Sequence, residues 1–422
     1  MEFPGAETID PLLDEIEFPA FVEAHYEPPT SSVEEVEAAT EEALARLPWA
    51  DLPPGATVVI GLGSRGVTDV VPVARCVVEG VRERGFEPVA IPAMGSHGGA
   101  SVAGQRRTLE SLGLTENTLD CPIDARMETG EVRGIPVARA ALEGDALLPV
   151  NRVKPHTNFD GRLESGLCKM LAVGFGKRAG ARVFHERAVT EGYVPTIEGT
   201  VRTLRDELTV LGGVAIVENA RDETALIEGI PGGELLERES ALLEEAKEYM
   251  ATLPYDDLDA LVVDRIGKDV SGTGMDTNVI GRFGVLGAEE PPVPEIDRIA
   301  VLGLTEATHG NGHGIGLADV TTVDVIESLA LDEMYANALT SGSLSRSRLP
   351  VALPTDEHAV AAALTSAGPY DPESARVVWV RDTGHLSTLR ISRALADERV
   401  DGLSIGDSVA LSFSEGKATF SG

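Results

Sequence analysis

Five of the eight histidines in this chain stand in glycine-rich or polar segments that directly follow short apolar runs: His97, His156, His309, His313 and His385. Imidazole titrates near neutral pH, so a ring held in such a place can move a proton or bind a metal. Lysine gives a second, independent signal. Only six occur, Lys154, Lys169, Lys177, Lys247, Lys268 and Lys417, whereas the other 29 of the 35 basic residues are arginine. Three of the six fall between Lys154 and Lys177. In a chain that otherwise uses arginine for positive charge, a retained lysine points to chemistry a guanidinium does not do. A primary amine can lose its proton and form covalent bonds. Arg65 adds a cation suited to a bidentate grip on a carboxylate.

The elements that must position these groups repeat one pattern: an apolar β-branched run, a glycine-rich segment, then a helical spacing. Thr57–Leu62 reads as a strand, Gly63–Val67 as a loop and Asp69–Arg84 as a helix. Glu87–Pro92 is a second strand, followed by the loop Ala93–Ala100 and a helix near Ser101–Leu112. Asp145–Val153 is a third, followed by Lys154–Gly161. Further on, helices are expected over Thr196–Leu211 and Leu235–Leu253, with a strand at Gly213–Glu218 between them. The pattern then restarts: strands at Leu258–Asp264, Arg298–Leu304 and Ala375–Val380 each run into a polar or glycine-rich loop. Such alternation predicts an α/β fold with mostly parallel sheets flanked by helices. The length of 422 residues suits two domains. We place them at 1–254, carrying the catalytic histidines and any cofactor, and 255–422, closing an active-site cleft. In parallel sheets ligands bind beyond the carboxyl ends of the strands. Arg65, His97 and His156 stand at three such ends in the first half, and Lys268, His309, His313 and His385 at others in the second.

Composition narrows the function classes. The 69 acids against 35 bases give a net charge of -34, and no basic stripe serves nucleic acid. The acid is dispersed, which with so few lysines reads as halophilic adaptation, where salt screens self-repulsion. No apolar run is long enough to cross a bilayer and the first residues lack a signal-peptide pattern, so a cytoplasmic location is expected. Cys76, Cys121 and Cys168 are scattered, which fits buried thiols better than a disulfide framework or metal cluster; Cys168, beside Lys169, stays open.

Several short motifs carry weaker signals. Glycine lets a backbone approach a ligand closely, so Gly98 and Gly99 in Gly95-Ser96-His97-Gly98-Gly99 are candidates to lie against a cofactor, and Ser271-Gly272-Thr273-Gly274 can face an anion. Gly61, Gly63 and Gly66 have dinucleotide-loop spacing, but no acid follows the next strand to hold a ribose. His309 and His313 have metal-like spacing in a loop, where two rings need not share a face.

Taken together, Ser64-Arg65, the GSHGG loop with His97, and KPHTNFDGRLESGLCKMLAVGFGKRAGARVFH from Lys154 to His185 resemble the nickel-dependent lactate racemase family. The resemblance covers most of residues 55 to 320. Ser271–Arg282 and His309–Thr322 are similar to one branch of that family. It implies a nickel pincer nucleotide, made by separate cofactor biosynthesis proteins, tethered to Lys169 with His185 as the nickel ligand. Lys177 is an alternative tether. The resemblance makes His97 and His156 the acid/base pair, Arg65 the grip on the substrate carboxylate and Lys268 a further substrate contact. It implies a racemase or epimerase of a 2-hydroxy acid, lactate-like or a sugar acid. Two other classes remain open: a nickel-independent lyase or hydrolase on the same scaffold, and a non-catalytic binder of an anionic metabolite.

Overall fold

The structure, a computed structural model, describes residues 3–13, 16–28, 30–64, 66–286 and 288–422. The chain divides into two compact units. One comprises Thr30–His156 and Gly161–Met250; the other comprises Met1–Pro29, Thr157–Asp160 and Ala251–Gly422.

The unit holding most of the first half is built on a five-stranded sheet. Its strands are β1 (Thr57–Leu62), β2 (Glu87–Pro92), β3 (Ala146–Arg152), β4 (Gly212–Glu218) and β5 (Thr224–Pro231), in the spatial order β2-β1-β3-β4-β5. All neighbours are parallel except β4 and β5. The apolar runs are buried because helices cover both faces, as parallel sheets require. On one side Val58, Ile60 and Leu62 pack with Val73, Val77 and Val81 of the helix Val70–Glu83. Those three valines recur every four residues, which places them on one helix face. β1 and β2 fall where the sequence puts them. The helices Val70–Glu83, Val102–Ser111 and Leu235–Tyr249 start and stop within a few residues of expectation.

The second unit has a nine-stranded sheet. We number its strands β6 (Asp257–Val263), β7 (Glu295–Val301), β8 (Val320–Thr322), β9 (Val351–Leu353), β10 (Val377–Val380), β11 (Thr388–Ser392), β12 (Leu403–Ser414) and β13 (Lys417–Ser421). The order is β9-β8-β7-β6-β10-β11, then the N-terminal strand Phe21–Tyr26, then β12-β13. The first five are parallel and the rest antiparallel. Trp379 is buried on one face between Phe21 and Phe420.

This sheet corrects the domain reading in two places. The first residues do not belong with the first-half unit, because Phe21–Tyr26 hydrogen-bonds to β11 on one side and β12 on the other. Thr157–Asp160 also belongs with the second unit. Arg346 donates to the Thr157 carbonyl (2.6 Å) and to Asn158 Oδ1 (2.9 Å), and the Thr277 hydroxyl donates to the Thr157 carbonyl (3.1 Å). No helix among the described residues is long and apolar enough to cross a membrane.

Packing on the far edge of the smaller sheet is close enough to test. The helix Val36–Ala45 lies on β5, and a β carbon at Gly229 would run into the carbonyl of Ala43. Backbone does not give way as a flexible side chain does. Gly229→Ala is therefore expected to cost about 1–3 kcal/mol, read as a lower urea midpoint with an unchanged slope.

Candidate functional site

Parallel register decides which loops meet. Leu62 at the end of β1 stands opposite Pro92 of β2 on one side, and opposite Val150 of β3 on the other. The loops that follow these three strands carry Ser64-Arg65, His97 and His156, so these segments leave neighbouring strands at the same end of the sheet. Arg65 itself lies outside the described residues. Ser64 Oγ contacts His97 Nδ1, a direct bond between the first two loops.

The His97 loop is held from below. The Gln105 side-chain nitrogen donates to the carbonyls of Gly95 (2.9 Å) and His97 (3.4 Å). Gly98 and Gly99 have φ of 66° and 63°, which glycine adopts without cost. Gly98 lies so close to the backbone of Gly104 that it accepts no side chain, whereas a β carbon on Gly99 would meet nothing within 4 Å. His97 is exposed at the top of this turn.

His156 is half-buried in the third loop. Lys154 and Ser165 exchange backbone hydrogen bonds (3.0 and 3.2 Å) and close the base of that loop. The buried carboxylate of Glu164 turns inward, accepting from the backbone N–H of His156 and from that of Gly161 (3.2 Å). Lys247 Nζ stands 3.6 Å from the same carboxylate.

Lys169 ends the short turn Leu167–Lys169, which runs straight into a π-helical turn, Met170–Gly174. Such turns are uncommon and gather at functional sites. Two groups fix this turn. Asn151 from the end of β3 donates to the Gly166 carbonyl (3.0 Å), and the Glu239 carboxylate accepts from the backbone N–H groups of Leu167 (2.7 Å) and Cys168 (3.0 Å). Glu239 is 1% exposed, and burial pushes its carboxyl up to about 7 against the pull of those N–H donors. The Lys169 side chain is half-buried. His185, sixteen residues on in the helix Lys177–Glu191, is exposed, with Phe184 packing against it edge-on (5.6 Å between centroids). Crowding by neighbouring atoms, and then the charge of Lys169, hold its pKa below the usual imidazole value. Lys169 is therefore near enough for its charge to act on His185.

Lys177 is not presented to a ligand. Its side chain is fully buried, and its ammonium donates to the Pro92 carbonyl (2.7 Å) and to Gln105 Oε1 (3.0 Å). Burial pulls it down to about 8, only partly offset by Asp124. Cys168 is also fully buried, its thiol pushed far up by burial and then by Glu239, which leaves it inert. Gly61 has a packing role, since a β carbon there would collide with the Phe175 ring.

The remaining candidates stand in the other unit. Lys268 follows β6; its ammonium donates to the Gly272 carbonyl (2.6 Å) and its backbone N–H to Thr308 Oγ1 (3.1 Å). Burial, then the charge of Arg346, lowers its pKa. His313 is buried against Ser347 Oγ (2.9 Å) and held down to about 4 by burial and by the charges of Lys268 and Arg346. His309 is exposed, with φ of 49°. His385 is exposed too, its Nδ1 2.6 Å from the buried Asp382 carboxylate. Among the described residues no group of three or more His, Cys, Asp and Glu could hold a metal ion, and of the HGNGH pair His313 is buried while His309 is exposed. His358 bridges Thr355 (2.6 Å) and Asp10 (2.7 Å).

Glu164, Glu239 and Gln105 escape a reading by residue type. A lone acid or amide in an acidic chain gives no signal that it will be buried beneath a loop.

No family model matches the chain, and no curated protein sequence matches it. Among solved structures, the chain is similar in fold to the lactate racemase apoprotein from Thermoanaerobacterium thermosaccharolyticum. That likeness has a TM-score of 0.45 at 13% identity and covers 86% of this chain and 89% of the other. It is too loose to carry residue roles across.

The two buried ionisable groups make opposite pH signatures. Glu239 titrates at about 7 folded and near 4.5 unfolded, so the folded chain holds the extra proton between those values and stability falls as pH rises through them. Lys177 titrates at about 8 folded and near 10.5 unfolded, so the unfolded chain holds the extra proton and stability rises across that window. Urea midpoints at pH 5, 7.5 and 10 are expected to show both slopes in the native chain. Glu239→Gln should lose the acid-side slope alone, and Lys177→Met the alkaline one alone.

Proposed function

We propose that this chain is a racemase or epimerase of a 2-hydroxy acid, lactate-like or a sugar acid, working with a nickel pincer nucleotide tethered to Lys169. The observation that carries this reading is that the loops bearing Ser64, His97 and His156 leave neighbouring strands at one end of the sheet. Support from the cofactor side is the Lys169 turn, fixed by Asn151 and Glu239, with His185 close by.

The residues suit the group. A tether needs one amine, and Lys169 is half-buried on a rigid turn. The metal needs one imidazole from the protein, because the group brings its own carbon and sulfur donors, so no multi-residue metal cluster is required. His185 fills that place. When bound, the group would supply hydride-acceptor chemistry at the carbinol carbon. Arg65 would hold the substrate carboxylate through two N–H donors. His97 and His156 would move the proton at the substrate hydroxyl oxygen. Ser64 fixes the face of the His97 ring, and Glu164 the backbone of His156. Gly98 and Gly99 allow the cofactor a close approach, and Lys268 is a further substrate contact. Cofactor biosynthesis proteins would load the enzyme in the cytoplasm.

The test is peptide mass spectrometry with metal analysis on protein purified from its native host in high salt. The expected result is an adduct on Lys169 with one nickel per chain, absent from Lys169→Ala. Unmodified lysines without nickel, from a host that carries the biosynthetic proteins, would move the assignment to a nickel-independent enzyme or a metabolite binder. In the loaded enzyme, His97→Asn and His156→Asn are each expected to lower kcat by about 10²- to 10⁴-fold while the adduct persists.

A further inference from the structure

Lys177 is held at a cost that its surroundings do not explain. It is one of six lysines in the chain, it is fully buried, and among the described residues no carboxylate hydrogen-bonds its ammonium. Its backbone φ is 52°, a left-handed conformation that glycine or asparagine would take more readily. Backbone strain that persists calls for a compensating role of the side chain.

That role is visible in the donors and acceptors. An ammonium donates and never accepts, so Gln105 must turn its oxygen toward Lys177. The amide nitrogen then faces the other way, where it meets two acceptors, the carbonyls of Gly95 and His97. A neutral amine still offers two N–H groups, so the orientation survives deprotonation. The same ammonium also binds the Pro92 carbonyl at the end of β2, which anchors the relay to the strand that carries the loop.

We propose that Lys177 is a positioning residue for His97, acting through the side-chain amide of Gln105. Calling His97 the group that needs positioning rests on the function proposed above; the relay itself does not.

Two variants separate the relay from bulk stability. Lys177→Met frees Gln105 to turn over. Gln105→Glu keeps an oxygen on the ammonium, but sets the other oxygen against the Gly95 and His97 carbonyls, where a donor stood. Hydrogen–deuterium exchange of Met94–Ala100 and ¹⁵N signals of the His97 ring are read in the full-length chain. Both variants are expected to speed exchange in that segment about tenfold, the equivalent of one lost hydrogen bond, and to shift the ring signals. Gln105→Glu should do so while exchange in the helix Val70–Glu83 stays native. In the loaded enzyme both should lower kcat about tenfold with KM little changed. Native exchange and native ring signals in Gln105→Glu would overturn the proposal, as would faster exchange spread evenly through the unit. A loop that responds as expected in a chain that never carries an adduct would leave the relay standing and remove the racemase reading.

Discussion

Leu62 is paired to Pro92 on one side and to Val150 on the other, and that parallel register delivers three loops to one end of a five-stranded sheet. Everything in the candidate site of this unit follows from it. Parallel strands need long crossovers, and the crossovers here are helices whose apolar stripes seal the two faces. Once sealed, the faces leave only the strand ends open to a ligand. Chemistry-bearing residues that follow a strand are thereby gathered without being near in sequence, as Ser64 and His97 are, 33 positions apart yet in contact.

Loops at strand ends lack regular hydrogen bonding, so something else must hold them, and in this unit buried polar side chains do. Glu164 takes two backbone N–H groups inside the His156 loop, Glu239 takes two at the start of the Lys169 turn, and Gln105 gives its amide to the His97 loop. Each satisfies groups that would otherwise be buried and unpaired, at about 1–3 kcal/mol apiece. A carboxylate suits two converging N–H donors, whereas an amide nitrogen suits two converging carbonyls. The chemistry of each loop's orphan groups thus dictates the residue type beneath it. Glu239 and Lys177 show the opposing force, since burial shifts both toward neutrality.

The strand-then-glycine rhythm made the sheet of the first unit legible, because β1 and β2 are buried on both faces and read as unbroken apolar runs. The antiparallel part of the second unit was not. β12 is mostly exposed, with residues such as Gly406, Asp407 and Ser408 that no propensity scale marks as strand. The first strand, Phe21–Tyr26, is too short to declare its partners, which lie more than 350 residues away. Of the candidate site, the strand-end residues were legible by position. The groups beneath them were not, because burial of a polar side chain is decided by tertiary packing. Lys177 is the sharpest case: its rarity marked it as special and suggested a covalent role, and only its two carbonyl-type acceptors distinguish an anchor from a tether.

Charge placement draws these strands together. Acids make up 69 of 422 residues, about one in six. Yet from Pro88 to Leu109 there is none, and from Ser165 to His185 there is none. These two segments hold His97, Gln105, Lys169, Lys177 and His185. A third acid-free stretch, Met334 to Thr355, contains Arg346, whose charge acts on Lys268 and His313. Burial alone does not account for the pattern, since the buried acids Glu164 and Glu239 lie just outside the second segment or far from it in sequence. In a molecule of net charge -34, leaving acids out of a segment is the simplest way to make the potential along it less negative. The exclusion is one of sequence and not of space, since Glu239 accepts from the backbone of Leu167 and Cys168 and the charge of Asp124 acts on Lys177.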